Sequence, residues 1–275
     1  MSEAKDDLRD LERLAVELAQ LAGDRIIASL GTALAVKYKK LSREEEAEAE
    51  FRDPVSEIDS AVEAVLRERL AERYPTHAII GEEEGGGELP PADYTWVIDP
   101  VDGTANFVNG FPIFAASIGL VHKGDPIVGA VWCSTSHALR PGVYNATKGG
   151  SLFFDGARIE AVDRSAVKRR IVAMPNLMTD MSLGYEARQT GSAAAECAFV
   201  AAGLLAGARF DSPNIWDVAG GVPLVQATGG TVLTRQDAAH DWKEFTRFDA
   251  PRGVVWRQPM IIGGGETASA LALTA

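Results

Sequence analysis

The chain has 275 residues, 46% hydrophobic and 24% charged, the composition of a soluble globular protein long enough for one large core or two halves sharing an interface. Its formal net charge of -12, from 39 acidic against 27 basic residues, argues against nucleic acid or an anionic membrane as the main partner, because both attract basic patches. Cys133 and Cys197 lie in apolar surroundings without a metal-ligand spacing and read as buried free thiols of a reducing, cytoplasmic compartment.

The first segment, MSEAKDDLRD, is charged and lacks the apolar core of a signal peptide. Leu8, Leu11, Leu14, Leu18 and Leu21 then recur at helical spacing and predict an amphipathic helix ending before Gly31. Ala33 to Lys37 has weak strand character, and the charged run KKLSREEEAEAEFRD, with no apolar face, reads as a solvated loop or short exposed helix. A second helix starts at Ser56, where Ser56 and Asp59 fit a capping box; Val62, Val65, Leu66 and Leu70 line one face until Pro75. A strand over His77 to Ile80 runs into Gly-Glu-Glu-Glu.

From Trp96 to about Gly156, short β runs alternate with glycine and proline turns: Ala115 to Val121, Ile127 to Trp132 and Gly142 to Ala146. They predict a meandering, largely antiparallel sheet. Beyond residue 160 come a strand over Arg170 to Met174 and a long Ala-rich helix from near Ser192. The apolar helical run Cys197 to Ala208 within it is too short to span a bilayer. A helix over Asp217 to Thr228, a Gly229-Gly230 stop, strands over Thr231 to Thr234 and Met260 to Ile262, and a terminal helix complete the chain. Alternating strands and helices imply a mostly parallel second sheet, so the chain divides into a 1–160 half and a 161–275 half.

Three acidic clusters follow apolar runs: Glu82 to Glu84, Asp99 with Asp102, and Asp217 in IWDVAGG. GEEEGGG alone is compatible with a solvated turn, and Asp217 with a residue serving first-turn amides of a helix. Asp99 and Asp102 are more demanding, since each raises the cost of ionising the other. Pro100 stiffens the backbone between them and removes an amide donor, which predicts a rigid site that cannot relax by pairing with its own chain. Carboxylates held this way, with no histidine or cysteine at ligand spacing, favour a hard divalent ion, magnesium before manganese or calcium, and not zinc. Gly103 allows close backbone approach, and a helical turn opening at Thr104 would point free amides at an anion. Carboxylates for metal beside amides for phosphate make a metal-phosphate site.

The run WVIDPVDGTANFVNGFPIFAASIGL resembles the W-x-I-D-P-x-D-G-T-x-N-F-x-x-G-x-P-x-x-x-x-S-I motif of the inositol monophosphatase family. GEE at Gly81 to Glu83 and WDVAGG at Trp216 to Gly221 are similar to two further motifs of that family. DPVSEID, Asp53 to Asp59, is similar to its upstream P-V-T-x-x-D element. The resemblance implies an α+β fold, a layered α-β-α-β-α sugar-phosphatase architecture with an antiparallel N-terminal sheet and a mostly parallel C-terminal one. It implies Mg²⁺ bound by Glu82, Asp99 and the Val101 carbonyl, and a second Mg²⁺ bound by Asp99, Asp102 and Asp217. Thr104, supported by Asp59 with Glu82 nearby, would orient an attacking water, and the Gly103 and Thr104 amides would hold phosphate. Glu82, Val101, Asp102, Asp217 and the segment Gly191-Ser192-Ala193 would contact substrate.

The activity implied is hydrolysis of a small phosphorylated metabolite, without a covalent phosphoenzyme, by a lithium-sensitive cytoplasmic homodimer. Members preferring inositol phosphate carry a glutamate seven positions before the WD aspartate; here that position is Phe210, with Asp211 beside it. Polyol recognition is therefore expected to be loose, with an apolar or aromatic substrate portion packing on the ring. Histidinol phosphate, fructose bisphosphate and 3′-phosphonucleotides are the alternative substrates within this fold, and a non-catalytic regulatory module is the reading from another class. The acidic stretch LSREEEAEAEFR is an insertion relative to the family.

Overall fold

A computed structural model describes residues 7–31, 36–38, 54–84, 92–160, 170–176, 184–249 and 256–273, with backbone alone for 36–38 and 54–56. The charged run 39–53 therefore lies outside the described residues, as does the Ser56 side chain of the expected capping box.

In chain order the elements are α1 (Leu8–Ser29), β1 (Val36–Tyr38), β2 (Pro54–Ser56), α2 (Glu57–Arg73), β3 (Ala78–Gly81), β4 (Tyr94–Asp102), α3 (Thr104–Asn109), β5 (Ala115–His122), β6 (Asp125–Cys133), β7 (Gly142–Thr147), β8 (Phe153–Phe154) and β9 (Ala157–Arg158). They continue as β10 (Arg170–Ala173), β11 (Tyr185–Arg188), α4 (Ala193–Ala201), β12 (Gly207–Phe210), α5 (Ile215–Ala219), α6 (Val222–Ala227), β13 (Thr231–Thr234), β14 (Lys243–Glu244), β15 (Met260–Gly263) and α7 (Gly265–Ala272). This is a mixed α+β fold with two large sheets and a β1–β2 ribbon.

The seven-stranded sheet has the order β3-β4-β5-β6-β7-β8-β9. Only β3 runs parallel to its neighbour; the rest is the expected antiparallel meander. Helices α1 and α2 cover one face through Leu11, Leu14, Leu18, Val62, Leu66 and Leu70, which pack with Trp96, Ile98 and Trp132. Leu8, at the open end of α1, is exposed.

The six-stranded sheet has the order β11-β10-β12-β15-β13-β14. The parallel character expected of it is found at β11-β10-β12, whereas β15 inserts antiparallel to both β12 and β13. Between the sheets, α4, α5 and α6 contribute to a cluster holding Val131, Cys133 and Tyr144 of the first sheet with Ala208, Met260 and Ile262 of the second. Both cysteines are buried and unpaired. Among the described residues no helix is long and apolar enough to cross a membrane.

Two expected helices are shorter than the sequence implies. The apolar run Cys197 to Ala208 is not one helix: α4 stops at Ala201, and Gly207 to Ala208 already belong to β12. Burial on both faces makes a short inner strand as apolar as a helix, so period alone does not separate them. The helix expected over Asp217 to Thr228 is broken into α5 and α6 at Gly220-Gly221. A Cβ on Gly220 would come within 2.5 Å of Ser117 Oγ, and one on Gly221 within 2.3 Å of the Cys197 Cβ. The glycines let this corner press against β5 and α4.

Candidate active site

The acidic clusters converge where β3 and β4 end side by side. Gly81 pairs with Ile98 in parallel register, so the next step along each strand places Glu82 beside Asp99. Glu82 sits in a tight turn, and Glu63 of α2 builds that turn. The fully buried Glu63 carboxylate accepts the Glu83 amide at 2.7 Å and the Glu84 amide at 3.0 Å, and it pairs with Arg67 at 2.8 Å.

Asp99 and Asp102 are both inside β4, which continues past the apolar run. Three positions apart on a regular strand, they would point to opposite faces. A register irregularity between them changes that: Asp99 faces Ser117 and Asp102 faces Ala115, so a three-residue step on β4 matches a two-residue step on β5. This is the signature of a β-bulge, which re-aims side chains; it brings both carboxylates to one side. The Val101 amide donates to Asp99 Oδ1 at 3.1 Å, so the expectation that Asp99 finds no partner in its own chain is corrected. Pro100 removes one donor, but the next amide replaces it.

The electrostatics are those of a crowded anion. Burial pushes the Asp99 carboxyl well above the usual range, and Glu82, Asp102 and Asp217 push it further in that order. A side-chain contact with Glu82 adds a smaller push in the same direction. Asp102 is pushed up to about 6, first by burial, against the opposing hydrogen bonds of Ser192 and Ala194.

Asp102 reaches across to the start of α4. Its Oδ2 accepts the Ser192 hydroxyl at 2.5 Å and the Ala194 amide at 2.7 Å, and its Oδ1 accepts the Ala193 amide at 3.3 Å. Ser192 itself caps α4. Asp217 lies in the first turn of α5 and accepts the Asn214 amide at 2.7 Å in a reciprocal capping box. The local role read for Asp217 from sequence and its place among the acidic groups therefore coexist.

Gly103 caps α3 with φ 90°, a left-handed conformation that suits glycine. A Cβ there would lie 3.0 Å from the Gly191 carbonyl oxygen, so the two glycine-bearing segments meet. The Thr104 hydroxyl is 2.8 Å from Asp59 Oδ1 and 2.9 Å from the Val101 carbonyl oxygen. Asp59 is buried on α2, so a strand, a short helix and a remote helix meet at one hydroxyl.

The donor set suits a hard divalent cation. Glu82, Asp102 and Asp217 around Asp99 all offer carboxylate oxygen, and their mutual repulsion is what a cation relieves. Among the described residues no three such side chains are drawn to the spacing of a closed ion cage. Asp102 is turned to the α4 amides and Asp217 to the Asn214 amide instead. Ser117, directly opposite Asp99, adds a fully buried hydroxyl oxygen with no hydrogen-bond partner among the described residues.

Phe210 does not offer a platform for substrate. It ends β12, pairs with Met260 and is buried in the main cluster, so the expectation of an aromatic portion packing on its ring is corrected. Asp211 is the exposed neighbour, held by Arg209 at 3.0 Å. Sequence reasoning also missed Glu63, Asn106, Ser117 and Glu196. Glu63 has one visible sign, a carboxylate between Val62 and Leu66 on the apolar face of α2.

The comparisons with known proteins bear on this geometry. The profile described as "Inositol monophosphatase family" matches residues 7–264. The chain belongs to the inositol monophosphatase family. It is 34% identical over 231 residues to a protein of Aquifex aeolicus named fructose-1,6-bisphosphatase/inositol-1-monophosphatase, covering 78% of this chain and 82% of that one. It is 32% identical over 247 residues to a Neisseria meningitidis protein named putative Nus factor SuhB, covering 84% and 88%. In fold it is similar to the Bartonella henselae extragenic suppressor protein suhB, with a TM-score of 0.73 over 96% of this chain and 97% of that one, at 23% identity. Family membership supports a phosphatase.

Proposed function

We propose that the protein is a Mg²⁺-dependent, lithium-sensitive phosphomonoesterase acting on a small phosphorylated metabolite in the cytoplasm, as a homodimer, without a nucleic acid or membrane partner. The observation that carries this reading is the crowding of Asp99 by Glu82, Asp102 and Asp217 next to the Thr104–Asp59 pair. Glu82, Asp99 and the Val101 carbonyl are assigned to one ion, and Asp99, Asp102 and Asp217 to a second. When bound, Mg²⁺ supplies Lewis acidity toward phosphoryl oxygens and lowers the pKa of water.

The chain's own groups do the rest. Thr104 donates its proton toward Asp59, which leaves its lone pairs free to accept a hydrogen bond from an incoming water and to hold that water for in-line attack. Glu82 stands beside it as a proton acceptor. The Gly103 and Thr104 amides hold the phosphate. Gly191, Ser192 and Ala193 line the side from which the alcohol part enters.

The substrate class follows from what flanks the site. Phe210 carries no polar group where a polyol-binding glutamate is expected, and it is buried. Phosphate esters other than inositol 1-phosphate are therefore the favoured substrates, and fructose bisphosphate is the first to test, given the name of the Aquifex aeolicus relative. Histidinol phosphate and 3′-phosphonucleotides follow. A second reading, a non-catalytic binding role, draws on relatives named Nus factor SuhB. The intact set of carboxylates favours catalysis over it. Phosphate release from polyol, amino-alcohol, sugar and nucleotide phosphates, with and without Mg²⁺, tests the proposal; no release from any of them would leave the binding role standing.

A further inference from the structure

We infer that Asn106 is a positioning residue, whose side-chain amide holds the Thr190–Ala194 segment in place against α3 and keeps it there when Asp102 changes partners. This rests on the assignment of Asp102 to a cation and of the 191–193 segment to substrate.

The Asn106 Nδ2 donates to the Ile113 carbonyl at 2.6 Å and to the Thr190 carbonyl at 2.7 Å, the latter 84 residues away in sequence. Both amide protons are used, and both acceptors are backbone. Gly191, next to Thr190, has φ 79°, and a Cβ on it would lie 3.1 Å from Asn106 Nδ2. The segment is therefore seated directly on this amide. Thr190 Oγ1 also donates to Glu196 at 2.5 Å, and farther along the segment Ser192 and Ala194 donate to Asp102.

The tethers differ in kind. Asp102 is an anion whose oxygens are the ones a cation would claim, so its hold on Ser192, Ala193 and Ala194 competes with metal binding. Asn106 is neutral, donates only to carbonyls, and its bonds are indifferent to a cation nearby. As Asp102 turns toward a cation, Asn106 is the tether from the α3 side that does not change. Loss of its amide leaves the Thr190 and Ile113 carbonyls without that donor and lets the segment drift from the site, which a positioned substrate tolerates poorly.

The test is hydrogen-deuterium exchange on the full chain, with and without saturating Mg²⁺, for the wild type, Asn106→Ala and the isosteric Asn106→Asp. Amides 192–194 should exchange at least tenfold faster in both variants, and Mg²⁺ should widen the difference, while α1 keeps its protection. Should Asn106→Ala fail to fold, Asn106→Asp carries the comparison. In turnover, KM for the best phosphate ester should rise about tenfold with kcat within threefold. Unchanged exchange at 192–194, or acceleration of equal size throughout the chain, overturns the inference. A wild-type protein that hydrolyses no phosphate ester would sink the proposed function instead, and the exchange data would still decide the role of Asn106.

Discussion

The hydroxyl of Thr104 lies 2.8 Å from Oδ1 of Asp59, a carboxylate 45 residues earlier and buried in another helix. The hydroxyl also touches the Val101 carbonyl at 2.9 Å, so both acceptors pull its proton inward and its lone pairs face the site. In the proposed mechanism a hydroxyl so held orients a water. Thr104→Ala should lower kcat by about a hundredfold or more with a small effect on KM, since general acid–base positioning contributes about 10²–10⁴-fold. Steady-state kinetics on both Thr104→Ala and Asp59→Asn check this, and a kcat within threefold of wild type in either would remove the pair from the mechanism.

Asp99 is where stability and activity oppose each other. Its ionisation is penalised by burial and by Glu82, Asp102 and Asp217, so Asp99→Asn should raise the stability of the metal-free protein by about 1 kcal/mol or more. The same change removes the negative charge assigned to both ions. Urea unfolding in EDTA measures the first effect; a variant less stable than wild type would show that Asp99 is held by structural bonds stronger than the repulsion.

Glu63 and Gly81 set the turn that carries Glu82. A Cβ on Gly81 would fall 2.3 Å from Glu63 Oε1 and 2.5 Å from its Cδ, and Glu63 is fully buried and cannot swing away. Gly81→Ala should cost about 1–3 kcal/mol and raise the Mg²⁺ concentration needed for half-maximal activity. Thermal unfolding and a Mg²⁺ titration together test it; an unchanged Mg²⁺ requirement would detach the turn from the metal assignment.

Glu196 gives the protein a pH-dependent stability. Burial lifts this carboxyl from 4.5 to about 8, against the opposing Thr190 hydrogen bond. The folded state binds the proton more tightly than the unfolded one, so the stabilisation is full below about pH 4.5 and is lost as pH rises through about 8. The slope in that window reaches at most about 1.4 kcal/mol per pH unit. Asp102, raised from 3.8 to about 6, acts in the same direction at lower pH. Glu196→Gln should flatten the decline in metal-free buffer between pH 5 and pH 8, and parallel curves for variant and wild type would contradict the burial argument.

What the sequence made legible follows from how local each feature is. The longer strands of the first sheet could be read because short apolar runs are bounded by glycine and proline, and the acidic clusters because each follows such a run; the two-residue strands β8 and β9 could not. The bulge between Asp99 and Asp102 could not, because it is defined by the register of β5 and leaves no mark on β4 itself. Strand β12 was hidden in an apolar stretch continuous with α4, and the α5–α6 break rests on contacts that Gly220 and Gly221 make with Ser117 and Cys197. Asn106 and Glu63 act on groups 84 and 20 residues away in sequence. Their chemistry is visible in the sequence, but their partners are not. The burial of Phe210 was equally invisible, since it depends on pairing with Met260.

The most direct test of the account is phosphate release by metal-stripped protein titrated with Mg²⁺, measured on the best ester from the substrate screen, for wild type and Asp99→Asn. The account predicts no turnover before Mg²⁺ is added, saturable activation of the wild type, and at least a hundredfold lower rate for Asp99→Asn at saturating Mg²⁺. Turnover by the metal-stripped wild type that is indifferent to Mg²⁺, or near-normal turnover by Asp99→Asn, would contradict it.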